Sequence, residues 1–190
     1  MNHANGLSRP ALLVIDVQNY FFDVNSPAFL TAGVEILPKI DELIRLAIRS
    51  GWLVVSTSHG APSREGNLME KKWRRLPRGS ECFLYPGLTF PKDAHHIPKE
   101  HYSAFFETPL EETLSEHRID TVIICGVMTH LCVDTTARHA FMLGWEPIIV
   151  ADACCSKTSA YHEAALSALA HGFARIVTTQ DLLGTDNGNA

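Results

Sequence analysis

The feature that most constrains this chain is the unbroken apolar run from Ala11 to Ile15, which ends abruptly at Asp16. A strand with one wet face alternates apolar and polar residues, so a continuous run needs cover on both faces. Thr121 to Val127 repeats the pattern, and Trp52–Ser56, Ile148–Ala151 and Ala174–Thr178 are shorter versions of it. Helical spacing fills the gaps. Between Val34 and Ser50, residues Ile36, Leu37, Ile40, Leu43, Ile44, Ala47 and Ile48 recur at helical intervals, and Gly51 fits the stop. Val133, Ala137, Ala140 and Phe141 share one face ahead of Gly144, and Ser159–Gly172 reads as another helix. Thr108-Pro109-Leu110-Glu111 combines a capping box with proline at the first helical position, predicting a helix to about Arg118. Doubly covered strands alternating with amphipathic helices predict an α/β fold, a parallel sheet with helices on both faces.

A chain of 190 residues has room for one such domain, and the polar tail from Gly184 to Ala190 is expected to fray. Its 46% hydrophobic content against 19% charged residues supports a sizeable core and excludes general disorder. A net charge of -5 leaves no electrostatic footprint for nucleic acid. The one basic stretch, Lys71, Lys72, Arg74, Arg75 and Arg78, reads as a solvated loop or as a gate for an anionic ligand. No apolar run reaches the roughly 18 residues that span a bilayer, so no membrane partner is expected. Five cysteines at 82, 125, 132, 154 and 155 lack zinc-ribbon spacing, and the first ten residues are polar. Free thiols in a reducing cytoplasm are the expectation. Cys154 and Cys155 read as small core residues. Residues 57–98 are punctuated by glycine and proline, with a short strand around His96–Pro98; so long a loop region is usually functional.

In open α/β sheets, ligands gather outside the carboxyl ends of the strands. Three chemically capable residues fall there. Asp16 directly follows the first apolar run, where partial desolvation would suit a base; a plain cap is the alternative. Lys99 lies just past His96-Ile97-Pro98, though a lone lysine is as readily a solvated side chain. Cys132 follows Thr121–Val127, where Gly126-Val127-Met128-Thr129-His130-Leu131-Cys132 turns into the next helix. A thiol at a helix N-terminus faces unpaired N–H groups and the positive dipole end, which favour thiolate; the same groups suit an oxyanion. A buried structural cysteine is the alternative. Phe21, Phe22, His59, Trp73 and Phe105 are candidate walls of a substrate pocket, or core residues. His95, His96 and His101 cluster near Lys99, yet no second ligand recurs at metal spacing, so no metal is expected.

Leu13-Val14-Ile15-Asp16-Val17-Gln18-Asn19, then Pro98-Lys99, then Gly126 through Arg138 with Cys132 ahead of Thr136-Ala137-Arg138, together resemble the isochorismatase-like cysteine hydrolases. The resemblance covers roughly residues 10–183, and Asp152-Ala153 adds to it. It implies a Rossmann-like three-layer α/β/α sandwich bearing an Asp–Lys–Cys triad. Asp16 matches the base, Lys99 the cation and Cys132 the nucleophile. A cis peptide common in the family maps to Val127–Met128 and would aim the N–H groups of Met128 and Cys132 at an oxyanion. The implied reaction cleaves a small carboxamide or ureide through a thioester, without a cofactor, in a homo-oligomer, either dimer or tetramer.

Departures from the family pattern narrow this. Nicotinamidases place a metal-binding Asp and His two apart after the second strand. Here Ser56-Thr57-Ser58-His59-Gly60-Ala61-Pro62 has no Asp before His59, which argues against a nicotinamidase. True isochorismatases lack the nucleophilic cysteine, so Cys132 favours amide chemistry. His139 stands where the family often has Asp and is given no catalytic role. Three readings remain: a cysteine amidohydrolase, a vinyl ether hydrolase using Asp16 alone, and a non-catalytic binding domain on the same scaffold.

Overall fold

The computed structural model describes residues 7–61 and 67–184. Its middle layer is a six-stranded sheet in which every strand pairing is parallel. The strands are β1 (Pro10–Ile15), β2 (Leu53–His59), β3 (His95–Lys99), β4 (Thr121–Val127), β5 (Glu146–Cys155) and β6 (Arg175–Val177), in spatial order β3-β2-β1-β4-β5-β6. Every residue of β1 and β4 is buried, which is why both read as unbroken apolar runs. β3 is an edge strand, and there Pro98 withdraws an N–H at little cost.

The helices are α1 (Asn19–Phe22), α2 (Gly33–Ser50), α3 (Leu68–Lys72), α4 (Leu110–Glu116), α5 (Asp134–Leu143), α6 (Ser159–Gly172) and α7 (Thr179–Leu183). α2 carries the β1–β2 crossover and packs with α7; α5 and α6 pack together against β5. Right-handed crossovers put α2 on one face of the sheet and α5 and α6 on the other. The α/β sandwich is as expected. No helix among the described residues is long and apolar enough to cross a membrane.

Several boundaries differ from the sequence reading. β2 runs three residues past Ser56, because Thr57, Ser58 and His59 pair with Ile97, Pro98 and Lys99 of β3. β5 continues through Asp152 to Cys155, past an irregularity in its pairing with β4 between Ile124 and Gly126. Only the first half of the predicted capping box forms: the Thr108 hydroxyl oxygen accepts the Leu110 N–H at 3.3 Å, and no return bond from Glu111 is found among the described residues. Thr108 also donates its hydroxyl to the Ala104 carbonyl, tying down the preceding turn. Residues 185–190 of the tail expected to fray lie outside the described residues.

The strand order reverses between β1 and β4, because the chain first builds outward to β2 and β3 and then returns to β4. Such a switch point opens a crevice at the carboxyl end of the sheet. Gly126 makes the approach there possible. It has φ +114, and a Cβ at this position would lie 2.1 Å from the Ile15 carbonyl oxygen. Neither the conformation nor the space admits a side chain. Gly126→Ala is therefore predicted to cost at least about 2 kcal/mol in chemical denaturation. A loss under about 0.5 kcal/mol would contradict the packing described here.

Candidate active site

Asp16 is the residue after β1 and stands in the left-handed region at φ 53, which turns its carboxylate over the end of the sheet. Lys99 is the last residue of β3, two strands away. Neighbouring strands lie about 4.8 Å apart, so β2 must be crossed, and a lysine is long enough to do so. Lys99 Nζ donates to Asp16 Oδ2 at 2.8 Å, with both side chains at 0% exposure. Lys99 also donates to the His101 carbonyl at 3.1 Å. Thr57, on the intervening strand, donates its hydroxyl to Asp16 Oδ1 at 2.6 Å and accepts the Asp16 N–H at 3.1 Å. Each carboxylate oxygen thus has its own donor.

Cys132 reaches the same point from β4. The peptide Val127–Met128 is cis, and Thr129–Val133 forms a single wide helical turn before α5 begins. The turn is pinned from outside. His130 shares a hydrogen bond with Ser156 through Nδ1 at 2.9 Å and stacks on Tyr161, while Thr129 meets His162 Nδ1 at 2.8 Å. Cys132 is 5% exposed, and its thiol lies close enough to Asp16 and Lys99 to feel both charges. The three residues singled out in the sequence therefore meet.

Their charge states follow from burial and pairing. Burial pushes Asp16 up, but Lys99, His59 and the hydrogen bonds from Lys99 and Thr57 outweigh it and hold the carboxyl below its ordinary value. Burial pushes Lys99 down, while Asp16 and Cys132 more than restore it. Burial and the facing Asp16 drive the Cys132 thiol well up, against the pull of Lys99. At neutral pH the site is a carboxylate, an ammonium and a neutral thiol. This corrects the expectation of a thiolate held by a helix N-terminus. Cys132 sits inside the wide turn ahead of α5, and its immediate neighbour is a negative charge.

A cavity of about 490 Å³ opens in front of the thiol, the size of a small-molecule site. Phe21, His59 and Trp73 line it together with Cys132, Met128 and Leu131. Phe22 and Phe105 do not. Phe22 turns toward Tyr85, ring centroids 5.7 Å apart, and against Gly33, while Phe105 stacks on Trp145 at 5.4 Å. His139 bonds Ser103 through Nδ1 at 2.8 Å and stays outside the cavity. Sequence reasoning missed Thr57 and Gln18. Gln18 accepts the His59 N–H at 2.6 Å and donates to the His59 carbonyl at 2.9 Å, clamping the end of β2. The polar run Ser56-Thr57-Ser58 after an apolar strand was the available signal for Thr57.

Among the described residues, no three His, Cys, Asp or Glu side chains converge on a metal-binding arrangement. His59 lies within electrostatic reach of Lys99, Asp16 and His101. Burial, reinforced by Lys99, lowers its pKa from 6.5 to about 4, so its ring is neutral. Neither ring nitrogen has a hydrogen-bond partner among the described residues.

This histidine makes stability depend on pH. Its folded-state value lies below its unfolded one, so the unfolded chain binds the proton more readily. The contribution is complete above about pH 6.5 and is lost as pH falls toward 4, amounting to roughly 3 kcal/mol. His59→Gln is predicted to flatten the melting temperature across that window. Parallel wild-type and variant profiles would contradict this.

Comparison with known proteins places the site in a family. An isochorismatase domain model matches residues 10–181. The chain is 34% identical to nicotinamidase 3 of Arabidopsis thaliana, covering 94% of this chain and 89% of that one. It is 27% identical to maleamate amidohydrolase of Pseudomonas putida, covering 92% and 85%. The structure of a cysteine hydrolase from Pseudomonas syringae pv. phaseolicola 1448A superposes with a TM-score of 0.88 at 22% identity, over 93% of this chain and 92% of that one, and shows the shared fold. With almost its whole length matched, the chain belongs to the isochorismatase family of hydrolases.

Proposed function

We propose that this hydrolase cleaves the C–N bond of a small carboxamide or ureide, with Cys132 as nucleophile, Asp16 as base and Lys99 as the cation beside both. The observation that carries this reading is a buried Asp16–Lys99 ion pair beside the Cys132 thiol, which lines a small cavity. Similarity to a nicotinamidase and to an amidohydrolase supports amide chemistry.

The steps follow from the charge states. Asp16 takes the Cys132 proton as Sγ attacks the carbonyl carbon. The C=O electron pair moves onto oxygen. The family resemblance assigns the N–H groups of Met128 and Cys132 to that oxyanion, and those of His130, Leu131 and Val133 in the same turn are engaged by Ser156 and Met128. Collapse breaks the C–N bond, and protonated Asp16 gives its proton to the departing nitrogen, leaving a Cys132 thioester. Asp16 then takes a proton from water, whose oxygen attacks the thioester. Collapse releases the acid, and Asp16 returns the proton to sulfur. Lys99 remains charged throughout and keeps Asp16 from holding its proton too firmly.

Cleavage of a vinyl ether by Asp16 alone needs a carboxyl that rests protonated. A carboxyl held below its ordinary value is the opposite arrangement. A purely binding domain would leave a buried ion pair in contact with a thiol without a task.

The test is ammonia release from a panel including nicotinamide, maleamate and a simple ureide. Cys132→Ala and Asp16→Asn are each predicted to lower kcat/KM by about 10⁴-fold. Lys99→Met should in addition destabilise the fold by about 3–5 kcal/mol, because it strands a buried carboxylate. Full turnover in Cys132→Ala alongside loss in Asp16→Asn would contradict the covalent route.

A further inference from the structure

The wall of the cavity in front of Cys132 carries an uneven charge. Lys72, Arg74, Arg75 and Lys157 line it, and among the described residues no Asp or Glu does. This occurs in a chain whose 21 acidic residues outnumber its 16 Lys and Arg. Arg75 is committed to Glu81 by an ion pair. Lys72, Arg74 and Lys157 have no acidic partner among the described residues. They come from separate segments, the end of α3 with the residues after it and the β5–α6 connection, so no single solvated face gathers them. The same wall includes apolar Phe21, Phe29 and Leu30, of which Phe21 and Leu30 are buried. The buried His59 ring, which has no hydrogen-bond partner among the described residues, also lines the cavity and offers a polar contact to whatever enters.

We propose that the substrate is an anionic amide: a small molecule with a carboxamide or ureido group at one end and an acid group at the other. The acid group sits among Lys72, Arg74 and Lys157 while the carbonyl lies against Cys132. This rests on the amide-hydrolase reading above and specifies its substrate class. Uncompensated positive charge at a cavity mouth concentrates anions and speeds their capture, and exposed charges do so in a salt-dependent way. A neutral amide would gain nothing from these residues and would leave three cations facing its apolar parts.

The charge selectivity can be read without turnover. Cys132 is alkylated with N-iodoacetyl-β-alanine and, separately, with its neutral methyl ester, and the rates are resolved by peptide mass spectrometry. The acid-to-ester rate ratio is compared with that of N-acetylcysteine amide. At low salt the ratio at Cys132 should exceed that of the model thiol by about tenfold. It should fall toward the model value in about 0.5 M salt and in the double variant Arg74→Gln/Lys157→Gln. A ratio no higher than the model thiol's overturns the proposal, as does one that both salt and the double variant leave unchanged.

A second pair, succinamate and its methyl ester, separates this proposal from the reading beneath it. Ammonia released as fast from the ester as from the acid overturns the anionic substrate and leaves the amidase intact. A strong charge preference in alkylation, with no ammonia from succinamate, nicotinamide or a ureide, supports the anion site and removes the amidase.

Discussion

The ion pair between Asp16 and Lys99 is the interaction on which the site depends. Both side chains are out of water, and a buried charge without partners costs several kcal/mol. The fold meets that cost by surrounding the pair with donors and acceptors. Lys99 serves one carboxylate oxygen, Thr57 the other, and the His101 carbonyl takes a further lysine proton. The arrangement requires three strands in correct register. Lys99 pairs with His59, and Val14 with Ser56, which places Thr57 of β2 between the lysine's strand and Asp16. A one-residue slip in either pairing would turn Lys99 or Thr57 to the other face of the sheet.

Charge separation of this kind suits a thiol that rests neutral. A preformed thiolate facing Asp16 would place two negative charges in contact, and only Lys99 would oppose their repulsion. The proposed reaction avoids that state by keeping one negative and one positive charge in the resting site and moving a proton only as sulfur attacks. The turn carrying Cys132 is held accordingly. Gly126 lets β4 close onto Ile15, and the bonds from Ser156 and His162 to the turn set its position from outside. Cys132 and Asp16 follow the two strands flanking the switch point, so sheet geometry fixes their separation more tightly than loops alone would.

Much of this was legible in the sequence because it lies at strand ends. Asp16, Lys99 and Cys132 each lie at or just beyond a segment whose pattern marks a strand, where ligands gather, and the family resemblance joined the three into one set. What stayed hidden depended on register or rotation. Thr57 became a partner of Asp16 only once β2 extended past Ser56, and that extension is stabilised by β3, a pairing no local pattern reveals. Phe21 and Phe22 are equally apolar neighbours on one short helix, about 100° apart around its axis, so one lines the cavity and the other packs on Tyr85. The thiol's charge state was misjudged for a related reason. A helix terminus can be read from local residues, but the carboxylate facing Cys132 arrives from another strand.

The central claim is that Cys132 carries the acyl group, and the most direct measurement is acid-quenched mass spectrometry during turnover of an amide that releases ammonia. The account predicts an added mass equal to the acyl fragment, mapped to the peptide containing Cys132, removed by hydroxylamine and absent from Cys132→Ala. Ammonia release at an undiminished rate with no adduct on Cys132, even when the quench is early and hydrolysis of the intermediate is slowed, would contradict it.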